Sequence, residues 1–462
     1  MKKSRLLPAI LGLCLAGATA AASQPAEGAA ERHVVVISVD GLRPDFYLNP
    51  SAHGVELPNF QELMREGAFA EGVEGSYPSV TYPSHTTMMT GARPRRHGIL
   101  NNYVFDPKGL FVDWYWHADA IKVPTLWDVA EKAGGTTAAL QWPVTAGAPI
   151  DLNFPEFWIP GSRKSWRQTM AEVMTPELLV AVESELGRLP DQPLRGEALE
   201  SFVFEVAGLI LKRFRPQLLL LHVIRTDSTQ HDYGREHPAV AAAFEGIDGK
   251  IGSLRRTLEE SGLAARTLLV VTGDHGFIQI HSEIHLNTAF QGAGLLDVGE
   301  DGKVSHWRAL AWPSGGSCAV MLKDGNDSDT RRRVETLVDE MLKGPLGGAM
   351  YKVSRQELDR LGAMPDALFA LEAREGYIFG KGLEGEILTP SENLGFHGFL
   401  PHRPRMRTGF LMVGPGVRAG VRVPVMRQID LAPTIAAWAG WELLDTDGLV
   451  LRGLFEEGAL ER

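Results

Sequence analysis

The sequence has few cysteines, and this limits how the fold can be held together. Only Cys14 and Cys318 occur among 462 residues. If residues 1–22 are removed as a signal peptide, one cysteine remains and no disulfide can form within the chain. Small secreted domains depend on disulfides, but a chain of this length can bury a core without them. We therefore expect a fold held by its hydrophobic core.

The sequence also lacks an excess of basic residues. There are 46 Lys and Arg against 57 Asp and Glu, which gives a formal net charge of −11. An acidic balance argues against nucleic-acid polymers or an anionic membrane surface as the main partner.

Long apolar runs are absent apart from one near the N-terminus. The run at residues 6–16 is too short for a permanent membrane span, so we expect no membrane anchor. Basic residues precede this run and small residues follow it, with cleavage expected after Ala20 or Ala22. The segment has the form of a bacterial export signal, so we expect a periplasmic or secreted protein.

Strand-like and helix-like segments alternate along the rest of the chain. Three continuous apolar runs, at residues 33–39, 217–224 and 267–272, are typical of strands buried on both faces. Amphipathic segments such as residues 125–133 and 238–261 predict helices. This alternation predicts an α/β fold with a mostly parallel sheet.

The pattern changes between about residues 302 and 385, which indicates an inserted subdomain rather than an independent module. Residues 23–32 are interpreted as a linker. Residues 33–462 then form one main domain that carries the insertion.

Residues 76–102 carry distinctive chemistry. A polar approach leads into a predicted helix at residues 82–90, which Thr81 opens and Gly91 ends. A hydroxyl at a helix N-terminus lies among unpaired backbone N–H groups, where an anion such as phosphate binds. Thr81 is therefore a candidate catalytic residue, although helix capping is the commoner role of such a threonine.

Acidic residues follow the three predicted buried strands. Asp40, Asp227 and Asp274 should converge, because the carboxyl ends of parallel strands meet at one edge of a sheet. His231 lies one helical turn after Asp227, and His275 is adjacent to Asp274. Each acid alone could instead cap a turn.

A further imidazole, His397, lies between glycines on a predicted flexible turn, where it could also be a surface residue. Together with the acids and histidines above, it makes a mixed Asp/His set that suits zinc or a similar transition ion. The set is large enough for two ions, an arrangement that serves phosphoryl transfer.

Five segments, in this order, resemble the alkaline phosphatase superfamily, and within it the nucleotide pyrophosphatase/phosphodiesterase family. They are VDGLRPD, SVTYPSHTTMMTGARPRRHGILNN, DSTQHDYG, TGDHGF and GFHGF. The resemblance covers essentially all of the chain after the predicted signal. It implies an alkaline-phosphatase-like three-layer sandwich, with residues 33–462 as the catalytic domain.

The same resemblance implies a set of roles for individual residues. Thr81 would be the nucleophile of a covalent phosphothreonine intermediate, and the Asn102 amide and Tyr82 backbone N–H would stabilise the phosphoryl oxygens. Two Zn²⁺ ions would be bound, one by Asp40, Thr81, Asp274 and His275, and the other by Asp227, His231 and His397.

The expected substrates are phosphodiester or pyrophosphate bonds of nucleotide-type molecules. A diester carries an extra substituent that needs an apolar wall, which Tyr82 and the aromatic loop with Trp158 could supply.

A monoesterase would need an added cation. Lys164 is a candidate for this cation, although no motif assigns it that role. His281 and His285 are interpreted as polar loop or pocket-lining residues in preference to metal ligands. A phosphomonoesterase, a phosphonate hydrolase and a catalytically silent exported metal- or phosphate-binding protein remain alternatives.

Overall fold

The structure is a computed structural model that describes residues 32–108 and 113–461. The predicted signal peptide at residues 1–22 lies outside the described residues, as does nearly all of the predicted linker at 23–32. Within the described ranges, no helix combines the length and the apolar character needed to cross a membrane.

Nineteen strands in the described residues make four sheets. In chain order they are β1 (His33–Val39), β2 (Ala68–Glu74), β3 (Thr137–Leu140), β4 (Leu152–Phe154), β5 (Leu218–Val223), β6 (Thr267–Thr272), β7 (Ile278–Ile284), β8 (Leu296–Val298), β9 (Val304–Trp307), β10 (Ala309–Ser314), β11 (Ser317–Leu322), β12 (Met350–Val353), β13 (Ala367–Ala373), β14 (Gly376–Phe379), β15 (Leu388–Pro390), β16 (Gly395–Phe396), β17 (Thr408–Val413), β18 (Val421–Val423) and β19 (Met426–Arg427).

Fourteen α-helices are found in the same part of the chain. They are α1 (Pro44–Leu48), α2 (Pro58–Glu66), α3 (Thr81–Thr90), α4 (Pro94–His97), α5 (Leu126–Lys132), α6 (Trp166–Val173), α7 (Pro176–Glu185), α8 (Gly196–Arg213), α9 (Arg225–Tyr233), α10 (Pro238–Glu260), α11 (Leu286–Gly292), α12 (Ser328–Lys343), α13 (Arg355–Leu361) and α14 (Leu431–Ala439).

The central sheet has the strand order β18-β2-β17-β6-β1-β5-β3-β4, with β19 also paired to β2. Only β17 runs antiparallel to its neighbours. In the middle of the sheet, Ile37 of β1 lies opposite Leu221 of β5 and Val271 of β6. The carboxyl ends of β6, β1 and β5 therefore lie side by side.

Side chains of the central strands alternate between two hydrophobic cores. In β1, Val35 and Ile37 pack in the core that includes residues of α8 and α10, whereas Val34 and Val36 pack in the core that includes residues of α3 and α14. Helices thus cover both faces of the sheet. The predicted α/β three-layer sandwich with a mostly parallel sheet is confirmed.

The strands and helices predicted above have boundaries that agree with the structure to within about two residues. The aromatic loop with Trp158 is bounded by the three-residue strand β4 and by α6. A strand this short shows no periodicity in the sequence, and its pairing with β3 defines it.

A second sheet, with the order β10-β11-β13-β12, is antiparallel throughout. It falls within the predicted insertion at about residues 302–385, whose status as a separate subdomain stays a prediction. The sheet has its own core, which includes Leu310, Val320 and Leu371.

Glu372, near the end of β13, joins this second sheet to the main body of the protein. Its carboxyl group accepts hydrogen bonds from the Tyr77 hydroxyl at 3.0 Å and the Leu400 N–H at 2.8 Å, and it lies 2.9 Å from the Arg403 guanidinium in an ion pair. Tyr77 precedes α3, and Leu400 follows His397. Burial raises the pKa of Glu372 to about 8, although Arg403 opposes this shift.

The Glu372→Gln variant should lose a pH-dependent part of the stability. The folded chain holds a proton on Glu372 up to about pH 8, whereas the unfolded chain releases it near the ordinary value of 4.5. Glu372 therefore contributes its full stabilisation of the folded state below pH 4.5, and this contribution is lost as the pH rises through about 8. The thermal midpoint of the wild type minus that of Glu372→Gln should decrease as the pH rises from about 5 to about 8.5. A difference in midpoint that stays constant over this range would contradict the prediction.

Candidate active site

Two strand ends supply the first part of the site. Asp40 directly follows β1, and Asp274 follows β6 by two residues. The Nε2 atom of His275 lies 3.3 Å from Asp40 Oδ1 and 3.2 Å from Asp274 Oδ2. The parallel pairing of β1 with β6 thus brings both acids to one imidazole.

Helix α9 supplies a second acid and imidazole. Asp227 lies in its first turn and His231 one turn later, with 3.2 Å between Asp227 Oδ1 and His231 Nε2. His397 completes this group, with its Nε2 atom 3.6 Å from Asp227 Oδ1. The predicted helical spacing of Asp227 and His231 is confirmed.

The position of His397 follows from strand pairing. It comes directly after β16, which pairs antiparallel with β7, and β7 begins three residues after His275. The rings of His397 and His275 stack with their centroids 3.7 Å apart. His397 is buried, so the alternative interpretation of it as a surface residue is wrong.

Among the described residues, three sets of acidic and histidine side chains hold their ligand atoms within 4.8 Å of one another. The first set is the predicted group of Asp227, His231 and His397. The second set is Asp40, Asp227 and His275. The third set is His85, His222 and Asp274.

The electrostatics of this cluster favour a bound cation. Burial raises the pKa of Asp40 well above its ordinary value, and the charges of Asp227 and Asp274 raise it further. Burial lowers the pKa of His397, and the neighbouring His275 adds to this shift. Several buried atoms have no hydrogen-bond partner in the structure, which is costly for polar groups. They include Asp40 Oδ1, Asp227 Oδ1, Asp274 Oδ2 and His275 Nε2.

Thr81 lies at the same edge of the sheet. Because β2 and β6 are both antiparallel to β17, they run parallel to each other, and the chain leaves β2 at the edge where β6 ends. Helix α3 begins at Thr81 itself and has Val80 as its N-cap, so Thr81 is the first helical residue rather than the cap. Gly91 ends the helix with a φ of 64°, as predicted.

His85 connects the start of α3 to the acidic cluster. Its Nδ1 atom lies 2.8 Å from the Thr81 carbonyl oxygen and 3.9 Å from Asp274 Oδ2. The ring is completely buried. The first turn of the helix is thereby held against Asp274.

Asn102 contacts the same turn of α3. The backbone N–H of Tyr82 donates to Asn102 Oδ1 at 2.9 Å. The sequence predicts that this N–H and the Asn102 amide contact phosphoryl oxygens, which stays a prediction. Because Asn102 Oδ1 accepts the hydrogen bond from Tyr82, the NH₂ group of the Asn102 side chain is the part that can donate to a ligand.

Aromatic rings form a wall beside this turn. The Tyr82 ring is buried and lies 5.2 Å from Trp114 and 6.0 Å from Trp116, measured between centroids. Trp158 packs against both tryptophans and is 38% exposed. The structure thus joins the predicted Tyr82 and Trp158 through two tryptophans that the sequence did not single out. Their only sequence signal is the Trp-Tyr-Trp string at residues 114–116.

His222, in the otherwise apolar strand β5, was not predicted from the sequence either. Its Nε2 atom lies 3.1 Å from Asp40 Oδ2. The only sequence signal is a histidine near the carboxyl end of a buried strand.

Three residues weighed from the sequence make other contacts. Exposed His281 contacts the Ser282 hydroxyl, and His285 contacts the Thr389 hydroxyl at 2.8 Å. Lys164 is exposed and pairs with Glu172 at 2.6 Å. Within the described chain, neither histidine joins a set able to hold a metal ion.

Comparison with known proteins relates this chain to one group of enzymes. The family model described as type I phosphodiesterase / nucleotide pyrophosphatase matches residues 34–400. Human ectonucleotide pyrophosphatase/phosphodiesterase family member 1 is 27% identical over 252 residues, which is 53% of this chain and 23% of the human protein. Ectonucleotide pyrophosphatase/phosphodiesterase 1 of Saccharomyces cerevisiae is 25% identical over 416 residues, 82% of this chain and 53% of the yeast protein. The chain spans about half, or less, of the length of these relatives.

Solved structures share the fold. Human ectonucleotide pyrophosphatase/phosphodiesterase 5 has a TM-score of 0.66 at 21% identity, and the match covers 92% of this chain and 100% of that one. The murine protein, solved as an inactive variant in complex with AMP, has a TM-score of 0.64 at 22% identity with the same coverage.

Divalent cations should stabilise the folded chain through the acidic cluster. Zn²⁺ at a thousandfold excess over its Kd should add about 4 kcal/mol to the free energy of unfolding, because it binds the folded state alone. The measurement is the thermal midpoint with and without Zn²⁺. Asp227→Asn should reduce the rise in midpoint, and the matched control His281→Gln should keep it. Equal rises in the wild type and Asp227→Asn would show that cations bind elsewhere.

Proposed function

The chain belongs to the type I phosphodiesterase / nucleotide pyrophosphatase family, and from this premise we propose that it hydrolyses phosphodiester or pyrophosphate bonds in nucleotide-type substrates. One observation carries the proposal. Buried acids and imidazoles meet at the sheet edge where a helix begins with the hydroxyl of Thr81.

The donor set fits two metal ions, which we assign as Zn²⁺ from the mixture of carboxylates and imidazoles. The unpartnered buried oxygens and nitrogen described above support this fit. When bound, such ions act as Lewis acids that lower the pKa of a coordinated hydroxyl and stabilise charge on the phosphoryl group. The residues that would hold them are Asp40, Thr81, Asp274 and His275 for one ion, and Asp227, His231 and His397 for the other.

Thr81 is assigned as the nucleophile. Its Oγ1 atom forms a bond to phosphorus while the bond from phosphorus to the leaving oxygen breaks, which gives a covalent phosphothreonine intermediate. Water then cleaves the bond between phosphorus and Thr81 and releases the second product. The position of Thr81 at the start of α3 supports this role, because the unpaired N–H groups and the dipole of the helix favour an anion there.

Asn102 is assigned to the phosphoryl oxygens. Because the Tyr82 N–H holds its Oδ1 atom, the orientation of the carboxamide is fixed before substrate binds. Its NH₂ group can then donate to a nonbridging oxygen without reorganisation, as in an oxyanion hole.

The aromatic wall supports a substrate with a flat apolar substituent. Tyr82 and Trp158 lie at its two ends, and the half-exposed ring of Trp158 is available to contact a nucleobase. AMP in the murine relative agrees with a nucleotide ligand. Lys164 is exposed and pairs with Glu172, so its contacts give no support to a role in binding a monoester dianion.

We place the protein outside the cytoplasm, in the periplasm, from the form of residues 1–22. The names of the curated relatives, as ectonucleotide enzymes, agree with an exported protein.

Initial rates on two chromogenic substrates test the proposed activity. The Zn²⁺-loaded wild type should cleave bis-p-nitrophenyl phosphate faster than p-nitrophenyl phosphate by about tenfold or more, because the aromatic wall binds the second substituent. Thr81→Ala should lower the diester rate by about a thousandfold or more. The control Thr86→Ala removes a hydroxyl from the same helix that bonds the Tyr82 carbonyl oxygen, and it should keep most of the rate.

Other outcomes would point to the alternatives. Faster cleavage of the monoester would replace the proposal by a phosphomonoesterase. Binding of phosphate without hydrolysis of either substrate would indicate a catalytically silent binding protein.

A further inference from the structure

His222 links a proposed metal ligand to the far strands of the central sheet. It lies near the end of β5, is 1% exposed, and has one ring nitrogen, Nε2, 3.1 Å from Asp40 Oδ2. The other nitrogen, Nδ1, lies 3.0 Å from the Gln141 carbonyl oxygen and 3.5 Å from Glu156 Oε2. Both ring nitrogens are thus placed against oxygen acceptors.

The two oxygens of Asp40 have different surroundings as a result. A carboxylate oxygen only accepts hydrogen bonds, so the His222 N–H donates to Oδ2. Oδ1 is buried without a hydrogen-bond partner and lies 3.3 Å from His275 Nε2. The contact with His222 therefore holds Oδ2 and leaves Oδ1 facing His275.

The residues behind His222 are themselves held firmly. Gln141 follows β3 and has a φ of 53°, which a residue other than glycine adopts only at a cost. Its N–H donates to the Phe154 carbonyl oxygen at 2.6 Å, and its side-chain amide donates to the Pro155 carbonyl oxygen at 3.1 Å. Gln141 is thus fixed to the segment that carries Glu156, and its carbonyl oxygen is turned to the His222 ring.

We propose that His222 is a positioning residue for Asp40, supported by Gln141 and Glu156. It acts through a hydrogen bond that directs one carboxylate oxygen of Asp40 to the metal site. The inference rests on the proposed function in one respect, that Asp40 is a metal ligand. Partners of this kind, which orient a ligand without touching the metal, typically change metal affinity or activity by about 10- to 100-fold when removed.

His33 provides a matched control. It lies at the opposite end of the same sheet, in β1, is also 1% exposed, and has its Nδ1 atom 2.8 Å from the Pro216 carbonyl oxygen. Replacing His33 removes a buried histidine from the end of the sheet remote from Asp40. A comparison of His33→Leu with His222→Leu therefore separates a general loss of stability from a loss of Asp40 orientation.

The test compares Zn²⁺ affinity, measured by competition with a chromophoric chelator, across five proteins. His222→Leu should bind one of the two Zn²⁺ ions about 10- to 100-fold less tightly than the wild type. His222→Gln, whose amide can donate to Asp40, should retain most of the affinity. His33→Leu should lower the thermal midpoint and leave the affinity unchanged. Glu156→Gln removes the carboxylate that faces His222 Nδ1, so it should also lower the affinity, and it carries the test if His222→Leu does not fold.

Two results would overturn the inference. One is wild-type Zn²⁺ affinity in a folded His222→Leu protein, or, where that protein does not fold, wild-type affinity in Glu156→Gln. The other is an equal loss in His33→Leu. The readout is independent of hydrolysis, so a wild type that binds Zn²⁺ and cleaves no phosphoester refutes the proposed function alone. For an active enzyme, His222→Leu should lower kcat with little change in KM, because Asp40 acts on the nucleophile side of the site.

Discussion

Repulsion among the carboxylates of Asp40, Asp227 and Asp274 is the constraint that the rest of the site has to balance. Asp40 and Asp274 are buried and Asp227 is partly buried at one edge of the central sheet, and buried charges without partners cost several kcal/mol each. The imidazoles of His231, His275 and His397 offset part of this cost. The buried atoms without a hydrogen-bond partner lie within this cluster, and the repulsion among the carboxylates supports the proposed binding of cations there.

The topology of the sheet explains why the proposed nucleophile lies at the same sheet edge as this cluster. A single antiparallel strand, β17, lies between β6 and β2, and β2 consequently ends at the same edge as β6. The chain then enters α3 with Thr81 as its first residue. On the other side, the pairing of β16 with β7 delivers His397, and Glu372 ties the second sheet to the segments before Thr81 and after His397. Long-range pairing therefore builds a site from residues far apart in sequence.

Much of this could be predicted from the sequence because the signals are local. Strands buried on both faces appear as continuous apolar runs, and β1 and β6 have the boundaries that those runs predict. The spacing of Asp227 and His231 also shows their shared helix face. Other features depend on contacts that no local pattern contains. The strand β5 does not reveal that His222 faces Asp40, and the helix sequence does not reveal that Asn102 takes the Tyr82 N–H. The tryptophans beside Tyr82 are recognisable only once the Tyr103–Trp114 bridge is known.

Direct detection of a covalent intermediate on Thr81 would test the proposed chemistry at its decisive step. The Zn²⁺-loaded protein would be mixed with bis-p-nitrophenyl phosphate, quenched in acid during turnover, digested, and examined by mass spectrometry. The two-step mechanism predicts a peptide in which Thr81 carries the phosphoryl group with the one substituent that the substrate retains. The same peptide should be unmodified in Thr81→Ala. Turnover that leaves Thr81 unmodified and places the phosphoryl group on another residue would contradict the assignment.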